Sequence, residues 1–262
     1  MKRKWFKYIC ILFLAILLTA RLSPVIRGYL REWTFDQETC SVAEATVMAF
    51  AAESGTPYRY WPESLIALLE RNPETEDFVL SYPAEHLAEP EVDLSDYLDD
   101  EGVPLFLQWD KRWGYLDYGS DVAGLTGCGP VCLSMVAFYL TGDVNMSPDN
   151  MLRFALEEGY CSPGNGSSWT LISEGAQKLG LTATELPLVK NLILGHLEAG
   201  DPIICVMGPG DFTSSGHYIV LTGLEDGMLQ VNDPNSLKNS ETLWDYDQID
   251  DQIRNLWVLR DA

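Results

Sequence analysis

The stretch Leu125–Leu140, LTGCGPVCLSMVAFYL, places two cysteines at the start of a long apolar run. Pro130 suits the first turn of a helix, so the stretch predicts a buried helix that begins near Cys128. Unpaired backbone N–H groups and the positive end of the helix dipole meet at such a start, and they lower the pKa of a thiol. Gly127 and Gly129 flank this cysteine, and we expect them to let a substrate carbonyl approach the backbone closely. The stretch therefore predicts a reactive thiolate at Cys128.

The remaining cysteines have different settings. Cys132 lies one turn inside the predicted helix, and Cys205 lies in another apolar run, so we expect both to be buried hydrophobic side chains. Cys40 and Cys161 could form a disulfide, but the spacing of cysteines does not decide their pairing. The position at the helix start favours Cys128 over Cys132 as a nucleophile.

A thiolate needs a base, and the chain contains three histidines. His217 is predicted to begin a strand after a glycine- and serine-rich turn, where its ring can face a cleft. Asp233 ends the next predicted strand, and antiparallel pairing brings the two strand ends together, so this carboxylate can orient the imidazole. Asn232 is the alternative partner, because successive strand residues point to opposite faces. His196 lies in an amphipathic stretch, where we expect it to be exposed or to cap a helix.

The pattern of apolar residues predicts helices first and strands later, which indicates an α+β fold. In such a fold, the helix that bears Cys128 packs on an antiparallel sheet. Helices are predicted at 40–53, 62–80 with a break at Asn72-Pro73, 130–140, 148–158, 168–180 and 189–199; strands are predicted at 202–207, 217–224, 228–232 and 256–260.

The chain before residue 103 differs in composition from the rest. Four basic residues precede the apolar run Tyr8–Leu18, which is the layout of an export signal and is short for a permanent membrane span. We expect residues 1–22 to be a cleaved signal peptide or an uncleaved signal-anchor that tethers the chain to the membrane, with the body of the protein outside the cytoplasm. Residues 23–102 are interpreted as an acidic helical arm and linker, and residues 103–262 as the main domain.

Acidic residues outnumber basic ones, and the formal net charge is −22. Such a charge repels phosphate backbones, so nucleic acid is excluded as a partner, and it helps to keep an exported protein soluble. No group of His, Cys and Asp has the spacing of metal ligands, so neither a metal site nor a cofactor is predicted. The sequence does not determine the oligomeric state.

Four motifs in order resemble the bacteriocin-processing peptidase-like family of the papain-like cysteine peptidases. They are VPLFLQWDKRWG at 103–114, GCGPVCLSM around Cys128, GDFTSSGHYIVLTG around His217 and VNDPNS around Asp233. The resemblance covers about 103–260 and implies a papain-like fold. It also implies that Cys128 is the nucleophile, that His217 is general base and then acid, and that Asp233 orients the ring.

The resemblance further implies that Gln108 and the backbone N–H of Cys128 stabilise the oxyanion. In exporter-linked members the glutamine stands a few residues before the cysteine, whereas twenty positions separate the two residues here. The segment Trp109–Thr126 must fold back for Gln108 to serve. No membrane-spanning pattern follows, and the predicted export signal argues against leader-peptide processing coupled to a transporter.

The sequence therefore predicts an exported thiol hydrolase that cleaves peptide or isopeptide bonds in a peptide or protein substrate, without a cofactor. We expect the loop Cys161–Trp169 to form a wall of the cleft, and Gly127, Gly129 and Gly216 to lie near the substrate. Trp169 either contributes an aromatic contact to the substrate or anchors the helix that follows the loop. Two alternatives stay open. One is a non-catalytic extracellular binding module on the same fold, and the other is an amidase of cell-wall peptides.

Overall fold

The computed structural model describes residues 40–162, 164 and 166–262. The predicted signal peptide or signal-anchor, residues 1–22, lies outside the described residues. Within the described part of the chain, no helix is long and apolar enough to cross a membrane. The described residues form two compact units that divide at 83/84, so the first holds residues 40–83 and the second begins at residue 84.

The described part of the first unit is helical. Ser41 caps its first helix in a capping box, in which the Ser41 hydroxyl accepts from the backbone N–H of Glu44 and the Glu44 carboxylate accepts from the N–H of Ser41. The break predicted at Asn72-Pro73 is confirmed, because proline cannot donate the next helical hydrogen bond. The helices are α1 (Val42–Ser54), α2 (Glu63–Arg71) and α3 (Glu76–Glu85), the last of which ends just inside the second unit.

The helices of the second unit surround one sheet. They are α4 (Ala123–Thr126), α5 (Cys128–Thr141), α6 (Pro148–Glu157), α7 (Ala176–Lys178), α8 (Lys190–Glu198), α9 (Leu237–Glu241) and α10 (Tyr246–Ile249). Where the sequence predicts one α-helix over 168–180, a π-helical turn (Leu171–Gly175) leads into α7. Gly175 packs there against two aromatic rings, since an added Cβ would lie 3.2 Å from Tyr160 and 3.4 Å from Phe154.

The sheet of the second unit has five strands in the order β5-β9-β6-β7-β8, and every neighbouring pair is antiparallel. Two short hairpins, β1 with β2 and β3 with β4, lie outside it. The strands are β1 (Asp117–Tyr118), β2 (Asp121–Val122), β3 (Cys161–Ser162), β4 (Gly166–Ser167), β5 (Leu181–Glu185), β6 (Ile203–Met207), β7 (His217–Glu225), β8 (Met228–Asn232) and β9 (Ile253–Asp261). The four predicted strands are confirmed; β5 was not predicted, because it is a largely exposed edge strand without apolar alternation.

The α5 helix covers one face of the sheet, and α8 covers the other. Alternate residues of β6 divide between the two apolar clusters, with Ile204 on the α5 side and Cys205 on the α8 side. Cys132 of α5 and Cys205 are fully buried, as the sequence predicts. The α+β fold, with the Cys128 helix packed on an antiparallel sheet, is confirmed.

Residues 84–102, which the sequence predicts to be part of an acidic arm and linker, have apolar side chains that pack within the second unit. Leu94 is buried in its core, and the ring of Tyr97 lies edge-on to Phe106 with centroids 5.2 Å apart. Apolar side chains spaced among the acidic residues therefore anchor this segment. The domain division at 102/103 stays a prediction, while the compact units divide at 83/84.

Candidate active site

Cys128 is the first residue of α5, as its place in the sequence predicts. Its side chain is half-buried, and the apolar remainder of the helix is embedded in the core. The helix start leaves the backbone N–H groups of its first turn without partners in the helix. The thiol therefore lies where backbone dipoles favour a negative charge.

His217 and Asp233 meet beside this helix. His217 begins β7, Asp233 follows β8, and His217 Nε2 lies 2.7 Å from Asp233 Oδ1. Both are buried, with 8% and 1% of their surface exposed. Asn232, the alternative partner, instead donates its side-chain N–H groups to the carbonyls of Val103 and Pro104. The structure thus brings Asp233 to the imidazole and turns Asn232 away.

The Cys128 thiol is hydrogen-bonded to His217, which completes a chain of three side chains. Burial alone raises the pKa of this thiol, but the hydrogen bond and charge of His217, with backbone N–H groups of Tyr218 and Gly129, outweigh it and lower the pKa. Because Nε2 faces Asp233, Nδ1 is the ring nitrogen left for the sulfur.

The pKa of the His217 imidazole is shifted in the opposite direction, upward. Burial alone lowers the pKa of the imidazole, but the charge and hydrogen bond of Asp233, together with Cys128, raise it to about 10. A raised imidazole pKa beside a lowered thiol pKa favours a thiolate paired with an imidazolium. That pair is the reactive state of a thiol nucleophile.

Gln108 lies between the segments that carry Cys128 and Asp233. Its backbone N–H donates to Pro234 O at 2.7 Å, and its side-chain Nε2 donates to Gly124 O at 2.8 Å. The segment between Gln108 and the helix therefore folds back, as its predicted role requires. The Gly124 carbonyl fixes the amide orientation and uses one of the two N–H groups of Nε2, so one N–H remains for a ligand. The buried Oε1 has no partner among the described residues.

Packing within the chain also requires the two glycines around Cys128. An added Cβ at Gly129 would lie 2.7 Å from Ser167 Oγ, and one at Gly127 would lie 2.7 Å from Ala123 O. The predicted approach of a substrate to these two glycines stays a prediction. An added Cβ at Gly216 would meet open space, so the chain itself does not require glycine there.

The hairpin of β3 and β4 packs beside the start of α5 through Ser167. The hydroxyl of Tyr118 is hydrogen-bonded to Ser167 Oγ at 2.7 Å, and that of Tyr218 donates to Ser167 O at 3.3 Å. Trp169 follows the hairpin, is 46% exposed and lies edge-on to Trp257 at 6.2 Å. Ser167 of the predicted wall loop thus packs against Gly129, the residue after Cys128, and Trp169 at the end of the loop has an exposed indole.

The other described cysteines lack the setting of Cys128. Cys161 is a free thiol, so the disulfide considered between it and Cys40 is absent. Burial raises the pKa of Cys132 and of Cys205, and also that of the half-buried Cys161. His196 lies in the last turn of α8 and pairs with Asp201. The described residues hold no group of three His, Cys, Asp or Glu placed to bind a metal.

Sequence reasoning missed the residues that hold Asp233. Asn239 Nδ2 donates to Asp233 Oδ2 at 2.7 Å, and the backbone N–H of Asn235 donates to Oδ1 at 2.8 Å. Ser240 Oγ accepts from the backbone N–H of Asp233. Ser236, which caps the short α9 helix, is the one local signal that could have indicated an ordered turn after Asp233.

Two of the solved structures that are similar to this chain have low identity to it. The peptidase domain of Streptococcus ComA, a bi-functional ABC transporter involved in a quorum-sensing pathway, is 20% identical with a TM-score of 0.44, over 61% of this chain and 99% of that chain. A protein described as a C39-like peptidase from Bacillus anthracis is 17% identical with a TM-score of 0.36, over 61% of this chain and 98% of that chain. No curated protein matches the sequence. The model of the Peptidase_C39 like family matches residues 101–260, more than half of the chain, so this chain belongs to the Peptidase_C39 like family.

Proposed function

We propose that this protein is a thiol hydrolase that cleaves peptide or isopeptide bonds through an acyl-enzyme on Cys128. The observation that carries the proposal is the continuous contact of Cys128, His217 and Asp233 at the start of a buried helix. Membership of a peptidase family supports a peptide or protein as the substrate. The chemistry follows from the placement of these groups.

The reaction begins with attack of the Cys128 thiolate on the substrate carbonyl carbon, which forms a C–S bond and an oxyanion. The backbone N–H of Cys128 and the second Nε2 N–H of Gln108 are the donors proposed for that oxyanion. His217 gives its Nδ1 proton to the departing amine as the C–N bond breaks, leaving a thioester. Water then gives a proton to His217 as it attacks the thioester, and the thiolate is released with the acid product.

The charges in the site suit these steps. His217 must hold a proton until the amine leaves, and the raised pKa of about 10 keeps the ring protonated at neutral pH. The lowered pKa of Cys128 keeps the sulfur ionised in the same state. Asp233 contacts the far side of the ring and stabilises the imidazolium.

Alkylation of the thiols tests this proposal without a known substrate. Iodoacetamide at neutral pH should modify Cys128 at least about tenfold faster than Cys161, since reactivity follows the thiolate fraction. Cys161 is a matched control because it is also half-buried but has a raised pKa. His217→Ala should slow the reaction at Cys128 and leave that at Cys161 unchanged. Equal, slow labelling of both thiols would favour a non-catalytic binding module.

A peptide library identifies the bond that is cleaved. Products should form with the wild-type chain and be absent with Cys128→Ala. Cleavage of amide bonds only in cell-wall peptides would assign the amidase alternative, which uses the same acyl-enzyme chemistry. Cleavage that persists in Cys128→Ala would contradict a thiol mechanism.

We also propose that the protein acts outside the cytoplasm. The support is the basic segment followed by the apolar run Tyr8–Leu18 in the sequence. In intact cells, a protease added outside should degrade the chain if it is tethered, and the medium should contain it if the signal is cleaved. Recovery of the whole protein in the cytoplasmic fraction would contradict export.

A further inference from the structure

The buried carboxylate of Asp233 is held on both oxygens. Oδ1 contacts His217 Nε2 at 2.7 Å and accepts the backbone N–H of Asn235 at 2.8 Å. Oδ2 accepts Nδ2 of Asn239 at 2.7 Å. Because Asp233 is only 1% exposed, these donors take the place of water around it.

The amide of Asn239 is presented by a turn that is ordered independently of its side chain. The backbone N–H of Asn239 donates to Ser236 Oγ at 3.2 Å, and its carbonyl accepts from Trp244 Nε1 at 2.9 Å. Ser240, the next residue, accepts the backbone N–H of Asp233 at 2.9 Å. The α9 helix thus hydrogen-bonds both the main chain and the side chain of Asp233. Replacing the Asn239 side chain leaves the backbone hydrogen bonds of Asn239 in place.

We infer that Asn239 is a positioning residue of the candidate active site, which orients the Asp233 carboxylate toward His217. The inference rests on the proposed function, because it concerns the same acid-base site. Without a donor on Oδ2, the carboxylate can rotate and Oδ1 no longer points steadily at the ring.

A neutral amide suits this place better than a cation would. A lysine or arginine on Oδ2 would also fix the carboxylate, but its charge would oppose protonation of the nearby imidazole. Asn239 donates without adding charge. The titratable groups that act on Asp233 from the packed elements are His217 of β7 and Cys132 of α5, while Lys238 and Glu241 are exposed on α9.

The pH profile of Cys128 alkylation by iodoacetamide in the full chain tests this inference. In Asn239→Ala the rate at neutral pH should fall about threefold to tenfold, the usual net effect of one hydrogen bond. The thiolate limb of the profile should move to higher pH, because a weakened Asp233 supports the imidazolium less. Glu241→Gln, an exposed change in the same helix, should keep the wild-type profile.

Asn239→Asp separates positioning from a merely structural role. The new side chain has the same shape, and two carboxylates in contact cannot both ionise readily, so one keeps a proton. At acid pH its O–H can donate to Asp233 and replace the amide. The alkylation rate of this variant should therefore be close to wild type at the acid end and fall below it as the pH rises.

Three results would overturn the inference or its basis. If Asn239→Ala and Asn239→Asp both keep the pH profile of the wild type, and His217→Ala still slows alkylation of Cys128, the positioning role alone is refuted. If Asn239→Ala does not fold, a constant ratio of Asn239→Asp to wild-type rates across pH would refute it. A wild-type rate that does not depend on His217 would refute the proposed function, and this inference with it.

Discussion

Two histidine–aspartate pairs occur in the second unit, and their surroundings differ. His217 and Asp233 lie 2.7 Å apart with side chains 8% and 1% exposed, next to the Cys128 thiol. His196 and Asp201 lie 2.9 Å apart with side chains 18% and 16% exposed. Asp201 also accepts from Arg260 Nε at 2.9 Å, a contact that joins the end of α8 to the end of β9.

The difference shows what a histidine–aspartate pair needs in order to become an acid-base site. Arg260 satisfies Asp201, and its hydrogen bonds and charge, with those of His196, hold the pKa of that carboxyl at about 2 despite partial burial. Asp233 instead accepts from neutral amide groups and from the ring. His217 and Asp233 are buried beside a thiol, which is the setting of a candidate acid-base site, whereas His196 and Asp201 pair with Arg260 and join two elements.

Replacing each histidine by alanine gives the largest contrast. His217→Ala should lower kcat/KM for a cleaved library peptide by about a thousandfold, since it removes both the proton donor and the partner of the thiolate. His196→Ala, the matched control, should leave kcat/KM within about twofold, the effect of a surface change remote from the site. Equal losses in the two variants would contradict the assignment.

The ionisation of Cys128 gives the next contrast. The absorbance of the Cys128 thiolate is the difference in ultraviolet absorbance between the wild type and Cys128→Ser. This difference should persist at pH values below the usual thiol pKa of about 8.5. His217→Ala should raise the pKa of Cys128, because burial is then less opposed, and lower the thiolate fraction at neutral pH by about tenfold or more. A wild-type thiolate that titrates like an exposed cysteine would contradict this expectation.

The same shifts fix how the pair contributes to the free energy of unfolding. Because the pKa of His217 is raised, its stabilisation of the fold is fully present below the unfolded pKa of about 6.5 and is lost as the pH rises through about 10. Because the pKa of Cys128 is lowered, its stabilisation of the fold is present above the unfolded pKa and is lost as the pH falls through the folded pKa. Unfolding measured at several pH values should therefore show that His217→Ala lowers the free energy of unfolding more near pH 6 than near pH 10.

The glycines near Cys128 and His217 give a smaller contrast. Gly129→Ala should lower the free energy of unfolding by about 1–3 kcal/mol, because its Cβ would overlap Ser167. Gly216→Ala should leave stability within about 0.5 kcal/mol, because its Cβ meets open space. If a substrate approaches Gly216 closely, as the sequence predicts, that variant should instead raise KM. Thermal unfolding and peptide kinetics measure the two effects, and a stable Gly129→Ala would contradict the packing argument.

The smallest effect is expected at the second pair. Asp201→Asn removes the charge that contacts both His196 and Arg260. Because Arg260 is about half exposed, the free energy of unfolding should fall by about 1 kcal/mol or less. Chemical denaturation in low and high salt measures it. Alkylation of Cys128 should be unchanged, and a marked loss there would mean that the second pair acts on the site.

Local sequence signals were sufficient for much of the candidate site. Glycine and proline around Cys128 mark a helix start, and the turn before His217 marks a strand start, so both features depend on a few neighbouring residues. The hairpin between β7 and β8 made the approach of Asp233 to His217 predictable. The choice between Asp233 and Asn232 was not decided by the sequence, because it depends on which side chain the carbonyls of Val103 and Pro104 bind.

The sequence by itself determined the α+β order of elements, the thiol at the start of a helix, and the two strand ends that carry His217 and Asp233. Only the tertiary structure decided that Gly129 is small because Ser167 packs on it, that Gly124 aligns the Gln108 amide, and that Asn239 holds Asp233. Helix caps and hairpins follow from neighbouring residues. Contacts between segments far apart in the chain depend on how whole elements pack, which no local pattern specifies.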